Sequence, residues 1–487
     1  MHRLRSSPAV ICGVLSIALT GCGTGNGGGT GTGGGSGTGG PVPGETTHVM
    51  LLISGTANDR FAAFGASIQG LILTNSSGNT VPLVSTTERA EFVHVNGTAE
   101  PFLTVTVPQD IYTSATITIP YVYFTYLFLN TSSQSETVST DADESNVTVP
   151  STVTLVAPLA IQGSNMVLAL TLLAAQSGSY SSQTLPSTYT ITPTFTLSPV
   201  TLATAPTNAQ DGALQNLNGE VTAVGADSFT VNFPDNSSLF APANVSFTFN
   251  TTGATAFQGL AGVGAISNGM LLNFDAAIQS DGTMTATRVA TLDAGAQNVM
   301  VGPVIQSAAQ SPAVAQPSVS VLGGQQQGVD FTAEPTSFAP FTLPPGATWQ
   351  VAPQISNTSS LPFNAVFDFN GLFEGQMVAA TSGSLSNSGG YITGRTMTLM
   401  PQTIDGTVTT VSSSGNFTVY TLQLNPLDTI PALGGPSAVE VYVAPGTVGA
   451  GNVTAAVGGT LRSTGVIFND SGTLRMDCTQ LNEGVTP

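Results

Sequence analysis

The sequence predicts an all-β protein: a disordered glycine-rich tether, then an N-terminal β-sandwich, then about three small β-barrel-like repeats. Short runs of Val, Ile, Thr, Phe and Tyr alternate with Gly, Asn, Asp and Pro, which is typical of strands and turns. No window of 12 residues combines a 3.6-residue apolar period with helix caps. The second half of the chain repeats itself, which is typical of tandem small domains.

Residues 1–22 have the pattern of an export signal. A basic start with Arg3 and Arg5 precedes a 12-residue apolar run, Ala9–Thr20. That run is shorter than the ~20 residues that a membrane-spanning helix needs. The signal ends in Leu19-Thr20-Gly21-Cys22, with Gly23 next.

This ending resembles the lipobox of bacterial lipoproteins, in which the cysteine is acylated and becomes the first residue of the mature chain. The resemblance implies a lipid anchor at Cys22, a signal peptide of residues 1–22 and, because no Asp follows the cysteine, an outer-membrane location. Two or three acyl chains hold a protein durably on a membrane, since each buried CH₂ contributes roughly 0.8 kcal/mol. The alternative is an ordinary secretory signal with an incidental cysteine.

Residues 23–47 form the predicted tether. They are mostly Gly, Thr and Ser, and such a composition behaves as a flexible coil because it cannot bury enough apolar surface. Two G-x-G-x-x-G matches within it neither follow a strand nor open a helix, so we interpret them as accidents of low complexity.

Residues 48–203 predict the β-sandwich, because about eight strands fall in some 150 residues without a disulfide. The predicted strands are His48–Ser54, Ser67–Thr74, Glu91–Val95, Phe102–Val107, Ala115–Ile119, Asn146–Val156, Met166–Leu173 and Tyr189–Leu197. The block resembles an uncharacterised lipoprotein domain of unknown function through its Val107–Ile119 turn and strand and its Pro-rich Ile191–Val200 end. Asp110 stands where that family has glycine.

Residues 211–295, 298–402 and 403–482 are predicted to be three β-barrel repeats. Leu217–Val231 and Ile404–Val419 each read as strand, turn and strand, and the middle unit contains a Gln/Pro/Gly-rich insertion over Ala313–Ala347. The pattern resembles a second family of unknown function, formed by tandem small β-barrels on bacterial envelope proteins. Repetition of one barrel is typical of spacing or multivalent contact.

The charge balance excludes several functions. The chain has 27 acidic residues, 8 Lys+Arg that are all arginine, and a formal charge of −19. Nucleic-acid binding needs basic residues that neutralise phosphates, so no nucleic-acid partner is expected. Without lysine, P-loop and Schiff-base chemistry are impossible. With only His48 and His94 beyond the signal, a histidine-based zinc site is excluded.

The cysteines predict no disulfide framework. Cys12 belongs to the signal and Cys22 to the anchor, which leaves Cys478 without a partner of its own type. An exported chain without disulfides must be stabilised by burial, for which its 41% hydrophobic composition is sufficient.

One acidic segment is a weak candidate for calcium. Asp141, Asp143 and Glu144 offer oxygen ligands within a few residues, but the spacing lacks the glycine and distal Glu of a calcium loop. A solvated acidic loop is the preferred interpretation, and neither a metal nor another cofactor is expected.

Four aromatic residues are weak candidates for ligand binding. Tyr121, Tyr123 and Tyr126 lie in the densest aromatic run, and Trp349 lies in a Pro/Gly-rich segment. Exposed aromatic rows bind sugar rings or protein partners. The alternatives are core packing for the tyrosines and a lid over a barrel end for the tryptophan.

Catalysis is the weakest hypothesis. Two carboxylates suffice for a glycosidase, but the pairs Asp368/Glu374 and Glu88/Glu91 look like surface charges, and no G-x-S-x-G motif occurs. We therefore expect a lipid-anchored cell-envelope protein with a structural or adhesive role, whose partners are the membrane and an envelope protein or polysaccharide. A carbohydrate-binding or polysaccharide-processing accessory is the alternative, and a carboxylate-dependent hydrolase is third.

Overall fold

The computed structural model describes residues 40–484 except for several short gaps. The gaps are 57–60, 131–134, 141–150, 156, 181–188, 234–245, 294–295, 297, 311–313, 321–322, 327–328, 331–337, 354, 356–357, 389–390, 452 and 454. Cys22 with the rest of the signal, residues 23–39 of the predicted tether, and the calcium candidates Asp141, Asp143 and Glu144 lie outside the described residues.

In its described residues, the N-terminal domain has fifteen strands and one helical turn, α1 (Ala174–Ser177). The strands are β1 (Thr46–Gly55), β2 (Phe61–Ile68), β3 (Gly70–Asn75), β4 (Thr80–Val84), β5 (Glu88–Glu91), β6 (Ala99–Pro108), β7 (Asp110–Thr118), β8 (Tyr121–Asn130), β9 (Ser135–Thr140), β10 (Thr152–Leu155), β11 (Leu159–Ile161), β12 (Asn165–Leu172), β13 (Gly178–Tyr180), β14 (Tyr189–Ile191) and β15 (Thr194–Pro199).

These strands form a sandwich, as predicted. A five-stranded sheet, β10-β15-β12-β1-β6, shares one hydrophobic core with two four-stranded sheets, β11-β7-β3-β4 and β5-β2-β8-β9. The core contains side chains from all three sheets, among them Leu51, Phe64 and Leu71. Because β-sheets bury one apolar face each, this arrangement removes all three faces from water.

Strand β1 is buried on both faces, which explains its nearly continuous apolar sequence. Val49, Leu51 and Ile53 pack in the sandwich core, whereas Met50 and Leu52 pack in a second core shared with the first barrel. β1 pairs in parallel with β12 and antiparallel with β6. A strand that is covered on both sides loses the apolar/polar alternation of a half-exposed strand.

The Pro108–Tyr112 turn has a clear physical basis. Tyr112 is buried, and its hydroxyl donates to the Pro108 carbonyl oxygen at 3.0 Å. Burial raises the pKa of the Tyr112 hydroxyl. Asp110, at the position where the resembled family has glycine, accepts from the Asn75 amide at 2.7 Å, which lowers the pKa of the Asp110 carboxyl. Asp110 therefore fixes the turn by a side-chain bond.

The described residues of the C-terminal part form nineteen strands, one helical turn, α2 (Thr429–Ala432), and three 3₁₀ turns, Val263–Ala265, Thr358–Ser360 and Phe369–Gly371. The strands are β16 (Ala213–Val224), β17 (Ser228–Asn232), β18 (Ser246–Asn250), β19 (Ala256–Gln258), β20 (Leu271–Ile278), β21 (Met284–Thr291), β22 (Asn298–Gln310), β23 (Val314–Ser320), β24 (Gly323–Gln326), β25 (Val329–Asp330), β26 (Phe338–Thr342), β27 (Thr348–Val351), β28 (Met377–Ser388), β29 (Tyr391–Leu399), β30 (Gln402–Ser414), β31 (Phe417–Gln423), β32 (Ala438–Val448), β33 (Thr460–Asp470) and β34 (Thr473–Glu483).

The three C-terminal units share one strand order. In each, the first strand pairs with the second and the fourth, the second with the third, and the third runs parallel to the fifth. The first barrel (β16, β17, β18, β20, β21) and the third barrel (β30–β34) are closed. The strands of the second barrel (β22, β23, β26, β28, β29) belong to a larger, eight-stranded sheet. The all-β class with barrel-like repeats is thus confirmed.

A bulge recurs at the same place in the three first strands. The register between first and second strands shifts after Val221, Val304 and Val408, two residues beyond a glycine in each unit. A side chain at Gly219 or Gly406 would meet the neighbouring strand, because an added Cβ would lie about 3 Å from its backbone oxygen. The glycine and the bulge therefore belong to the barrel's construction.

Two segments differ from the sequence-based interpretation. The predicted strand Glu91–Val95 is a loop after Glu91. Part of the stretch Ala313–Ala347, interpreted as an insertion, forms β23 and β26, the second and third strands of the second barrel. In the described part of the chain, no helix has the length and apolarity required to span a membrane.

Candidate ligand-binding cavity

A cavity of about 330 Å³ lies where the sandwich meets all three barrels, within the compact unit formed by residues 39–487. The sandwich contributes the loop between β5 and β6, and each barrel contributes the start of its first strand. Ligand sites in proteins occur preferentially at such junctions, and their volumes begin at about 300 Å³. The size and position of this cavity therefore fit a small ligand.

The three barrels present equivalent positions to the cavity. The first-strand residues that line the cavity lie between four positions before and one position after the repeated glycines Gly219, Gly302 and Gly406. They are Gln215, Asn216 and Asn218 from the first barrel, Val299, Val301 and Pro303 from the second, and Gln402, Thr403 and Ile404 from the third. One structural element, used three times, thus surrounds the cavity.

The β5–β6 loop, residues 92–98, joins the sandwich to two barrels. The Thr98 hydroxyl donates to the Gln215 carbonyl oxygen of the first barrel at 3.1 Å. From the third barrel, the Thr403 hydroxyl donates to the Asn96 carbonyl oxygen at 3.0 Å, and the buried Arg462 guanidinium donates to the Asn96 side-chain oxygen. The loop therefore fixes the relative positions of the cavity walls.

Glu91 shapes this loop. Its side chain is 1% exposed. Its carboxylate accepts from the backbone N–H groups of Phe64 at 2.8 Å, Val93 at 3.0 Å and His94 at 2.9 Å. A carboxylate that takes two N–H groups of the residues following it competes with strand pairing, so the chain turns after Glu91. This bonding explains why the apolar pattern around Val93 does not produce a strand.

His94 lies between two buried carboxylates on the cavity wall. Its Nδ1 is 2.9 Å from Glu91 Oε2, and its Nε2 is 3.4 Å from Glu100 Oε2. Each ring nitrogen of His94 can donate or accept a hydrogen bond, depending on its protonation. The two carboxylates therefore fix the orientation of the His94 ring on the cavity wall.

The first barrel contributes a polar wall. Asn216 has a positive φ of 57° at the strand irregularity, and its N–H donates to Asp275 Oδ1 at 2.8 Å. Arg288 donates to Asp275 at 2.7 and 3.1 Å, and to Asn273 Oδ1 at 2.8 Å. A non-glycine residue in the left-handed region costs of order 1–3 kcal/mol and clusters at functional sites. The network thus holds strained backbone at the cavity.

The second barrel contributes an apolar wall. Its lining residues are Val299, Val301, Pro303, Gly375, Met377 and Met400. Val299, Met400 and their neighbours form a small hydrophobic cluster between the first and second barrels. The cavity lining therefore combines an apolar contribution from the second barrel with polar residues from the sandwich and the first and third barrels, beside apolar ones such as Phe61 and Ile430.

The charged lining residues are mainly acidic. Glu100, Asp275 and Asp428 line the cavity, and neither arginine nor lysine is among its described lining residues. Arg288 already pairs with Asp275, and His94 faces Glu100. The Asp428 carboxylate accepts from the Asn425 backbone N–H at 2.8 Å. An anionic ligand would thus meet carboxylates, and no described arginine or lysine lines the cavity to bind it.

The aromatic candidates lie elsewhere. Trp349 is half-buried in the core of the second barrel, edge-on to Phe367 with ring centroids 5.4 Å apart. The Tyr121 ring lies 6.0 Å from the Arg89 guanidinium carbon. β8 is a central strand, but the side chains of Tyr123 and Tyr126 lie outside the described residues. Neither Tyr121 nor Trp349 lines the cavity, and Trp349 packs as an internal residue.

The carboxylates Asp368 and Glu374 and the thiol of Cys478 are not among the residues that line the cavity. Asp368 caps the 3₁₀ turn Phe369–Gly371 by accepting from Asn370 and Gly371 N–H groups, so no strand-like run joins it to Glu374. Cys478 is buried, and burial raises the pKa of its thiol to about 12. Within the described ranges, no three His, Cys, Asp or Glu side chains form a group that could hold a metal.

Comparison with known proteins identifies one domain. Residues 218–290, which run from β16 to β21 of the first barrel, match a domain of unknown function, DUF5666. The match covers one barrel and leaves the family of the whole chain open. No curated protein matches the chain.

Two solved structures resemble the chain weakly. A deletion mutant of the single-stranded DNA binding protein from Thermus aquaticus is 12% identical, covers 39% of this chain and 94% of its own, and has a TM-score of 0.16. A glycoside hydrolase family 32 structure from Bifidobacterium adolescentis is 8% identical, covers 90% and 67%, and has a TM-score of 0.10. Superpositions this poor support no functional argument.

Sequence reasoning misses the residues that build the cavity. The interpretation of Glu91 as a surface charge is wrong, because its side chain is buried. A usable signal is present in the repeats: Gln215-Asn216 and Gln402-Thr403 stand at the same distance before Gly219 and Gly406. Polar residues at matched positions of two first strands indicate a shared surface.

Proposed function

We propose that this protein is a lipid-anchored cell-envelope protein that binds a small ligand, without catalysis, in the cavity between its sandwich and its barrels. The observation that supports this most is the cavity itself, which four domains surround, three of them with equivalent elements. A purely structural array of barrels has no need of a shared polar and apolar recess. The proposal thus adds a binding site to the envelope location expected from the sequence.

The anchor is supported by the sequence. Leu19–Cys22 and the following glycine resemble a lipobox, and the Gly/Thr/Ser-rich composition of residues 23–39 is typical of a linker. The formal charge of −19 disfavours direct adsorption to anionic lipid, so an acyl anchor is the consistent means of attachment.

The binding role is tested by identifying what the protein carries from its own envelope. The full chain is purified from membranes, denatured, and the released small molecules are compared by mass spectrometry with those from two variants. Val301→Phe fills the cavity, whereas Val224→Phe adds the same bulk at an exposed position of the first barrel. A compound that is retained by wild type and Val224→Phe but lost from Val301→Phe supports the proposal. Absence of any such compound, together with absence of any ligand that binds in solution in a Val301-dependent manner, would contradict it.

The anchor is tested by growth with an alkyne analogue of palmitate. Wild type is expected to incorporate the label, and Cys22→Ser is expected to remain unlabelled. Cys478→Ser is the matched control, because it removes a thiol that is buried in the third barrel. Labelling of Cys22→Ser, or an unlabelled wild type, would contradict the lipid anchor.

A further inference from the structure

We propose that the cavity binds a neutral ligand rich in hydroxyl groups, of the sugar or polyol class, and discriminates against anions. This inference rests on the proposed binding function and names its ligand class. It depends on the charge of the lining, the chemistry of its polar groups and the position of its apolar wall.

The charge of the lining excludes anions. Carboxylates of Glu100, Asp275 and Asp428 line the cavity, and no described lining residue is arginine or lysine. Like charges brought together at a desolvated site cost several kcal/mol. A phosphate, sulfate or carboxylate ligand therefore has no favourable partner here.

The counter-charges make a cationic ligand unnecessary. Asp275 is bound by two nitrogens of Arg288, at 2.7 and 3.1 Å, and Glu100 faces the His94 ring at 3.4 Å. Carboxylates that already bond to an arginine or a histidine keep acceptor capacity, since each oxygen can accept more than one hydrogen bond. Such groups bind hydroxyl donors well without requiring a positive charge.

The remaining polar groups suit hydroxyl recognition. Gln215, Asn216 and Asn218 line the first-barrel wall, and Thr403 and Thr464, whose hydroxyls bond to each other at 2.8 Å, line the third-barrel wall. Amides and hydroxyls both donate and accept, as sugar hydroxyls do. Groups of these kinds that already bond within the protein can still bond to a ligand hydroxyl, because each has more than one donor or acceptor site.

The apolar wall gives the site its orientation. The second barrel supplies Val301, Met377 and Met400 to the lining, and the third barrel adds Ile404 and Ile430. A pyranose ring has C–H groups on its faces and hydroxyls around its edge. Burying C–H surface on the apolar side while the hydroxyls bond to the other walls satisfies both halves of the cavity.

The test compares three hexoses that differ mainly in charge. The full chain is titrated by calorimetry in a polyoxyethylene detergent, which has no sugar headgroup. The ligands are D-glucose, D-glucosamine and D-glucuronate. N-acetylglucosamine and two neutral disaccharides are further probes. At least one neutral sugar is expected to bind, with glucuronate weaker than glucose by at least about tenfold. Glucosamine is expected to bind no more tightly than the best neutral sugar.

Matched variants locate the binding. Gln215→Leu is expected to weaken the neutral sugar by about five- to tenfold, because one hydrogen bond to the ligand is lost. Gln210→Leu makes the same change at an exposed position and is expected to leave the affinity unchanged. Val301→Phe should abolish binding.

The outcomes separate the two proposals. Tighter binding of the amine or of the acid than of every neutral sugar would overturn the ligand class while leaving cavity binding in place. The ligand class would also be overturned if no sugar binds although an envelope compound is retained in a Val301-dependent manner. Absence of both sugar binding and any retained compound would overturn the binding function itself.

Discussion

Glu91 is the residue on which the geometry of the cavity most depends. Its carboxylate accepts three backbone N–H groups and also faces Nδ1 of His94. A buried acceptor with that many donors both ends β5 and holds the His94 ring toward Glu100. The same residue therefore determines both the local chain direction and the orientation of the His94 ring.

Replacing Glu91 by glutamine should destabilise the sandwich by about 2–3 kcal/mol, because charge-assisted bonds from buried N–H groups are weakened or lost. Thermal unfolding followed by circular dichroism measures the change. Glu88→Gln, on the same strand but bonded to Thr86 at an exposed position, should have an effect near zero. Equal effects for the two variants would contradict the role assigned to Glu91.

Asp477 gives the third barrel a measurable pH dependence. Desolvation raises the pKa of its carboxyl to about 6 from an ordinary 3.8. Since the folded state favours the protonated form, this contribution to stability is complete below pH 3.8 and is lost as the pH rises through 6. Asp477→Asn should therefore raise the free energy of unfolding by about 1–2 kcal/mol at about pH 7.5, and change it little at about pH 3.8.

Calorimetry at the two pH values tests this sign. Asp281→Asn is the control of opposite sign, because hydrogen bonds from the Thr283 side chain and backbone lower the pKa of the Asp281 carboxyl. That stabilisation is present at neutral pH and is lost as the pH falls. Stabilisation by both variants at neutral pH, or by neither, would contradict the assigned causes.

At the scale of elements, the first strand of each barrel combines a structural and a binding task. The glycine and the bulge after it curve the strand into the barrel, and the residues before the glycine face the cavity. Duplication of the barrel thus also duplicated a cavity-facing segment. The second barrel differs by presenting Val299 and Val301 where the first presents Asn216 and Asn218.

The repeated glycine should tolerate no side chain. In Gly406→Ala, the new Cβ would lie 2.9 Å from the Gln423 carbonyl oxygen and 3.1 Å from the Leu422 Cβ. We expect a loss of about 1–3 kcal/mol, as for overpacked sites. Gly446→Ala, where no atom lies within 4 Å of the added Cβ, is the control. Similar melting temperatures for Gly406→Ala and wild type would show that the barrel does not need this close approach.

The strands could be predicted from local sequence patterns, whereas the residues that line the cavity could not. Strand residues such as Val49–Ile53 and the repeat around Gly219 and Gly406 have signatures in a single sequence, and these signatures predict the all-β class. The loop after Glu91 could not be predicted, because its cause is a side chain bonding to its own backbone and to Phe64, 27 residues away. Burial of Glu91 and Glu100 likewise depends on long-range packing.

At the scale of the whole molecule, the β5–β6 loop connects domains that are distant in sequence. Arg462 lies 366 residues after Asn96 and donates to its side chain, and it also lies 3.4 Å from the Gly55 carbonyl oxygen at the end of β1. One buried guanidinium therefore bonds both to the cavity loop and to the central strand of the sandwich. Removing it should loosen the cavity without unfolding each domain.

Arg462→Met tests this coupling by hydrogen exchange. Amide protection in residues 92–98 should fall by at least about tenfold, because local opening costs less free energy once the interdomain bonds are lost. Arg395→Met, which removes a half-exposed arginine paired with Asp293 in the second barrel, should leave that loop unchanged. Unchanged protection in Arg462→Met would indicate that the loop is held by the sandwich alone.

The most direct measurement is a crystal structure of the full chain with the neutral sugar that titrates most tightly. The proposed function predicts electron density for that sugar between His94, Asn218 and Met400, with its ring face on the second barrel. Density for the sugar on Trp349, on the outer faces of the barrels, or nowhere on the protein would contradict a binding site at the junction of the four domains.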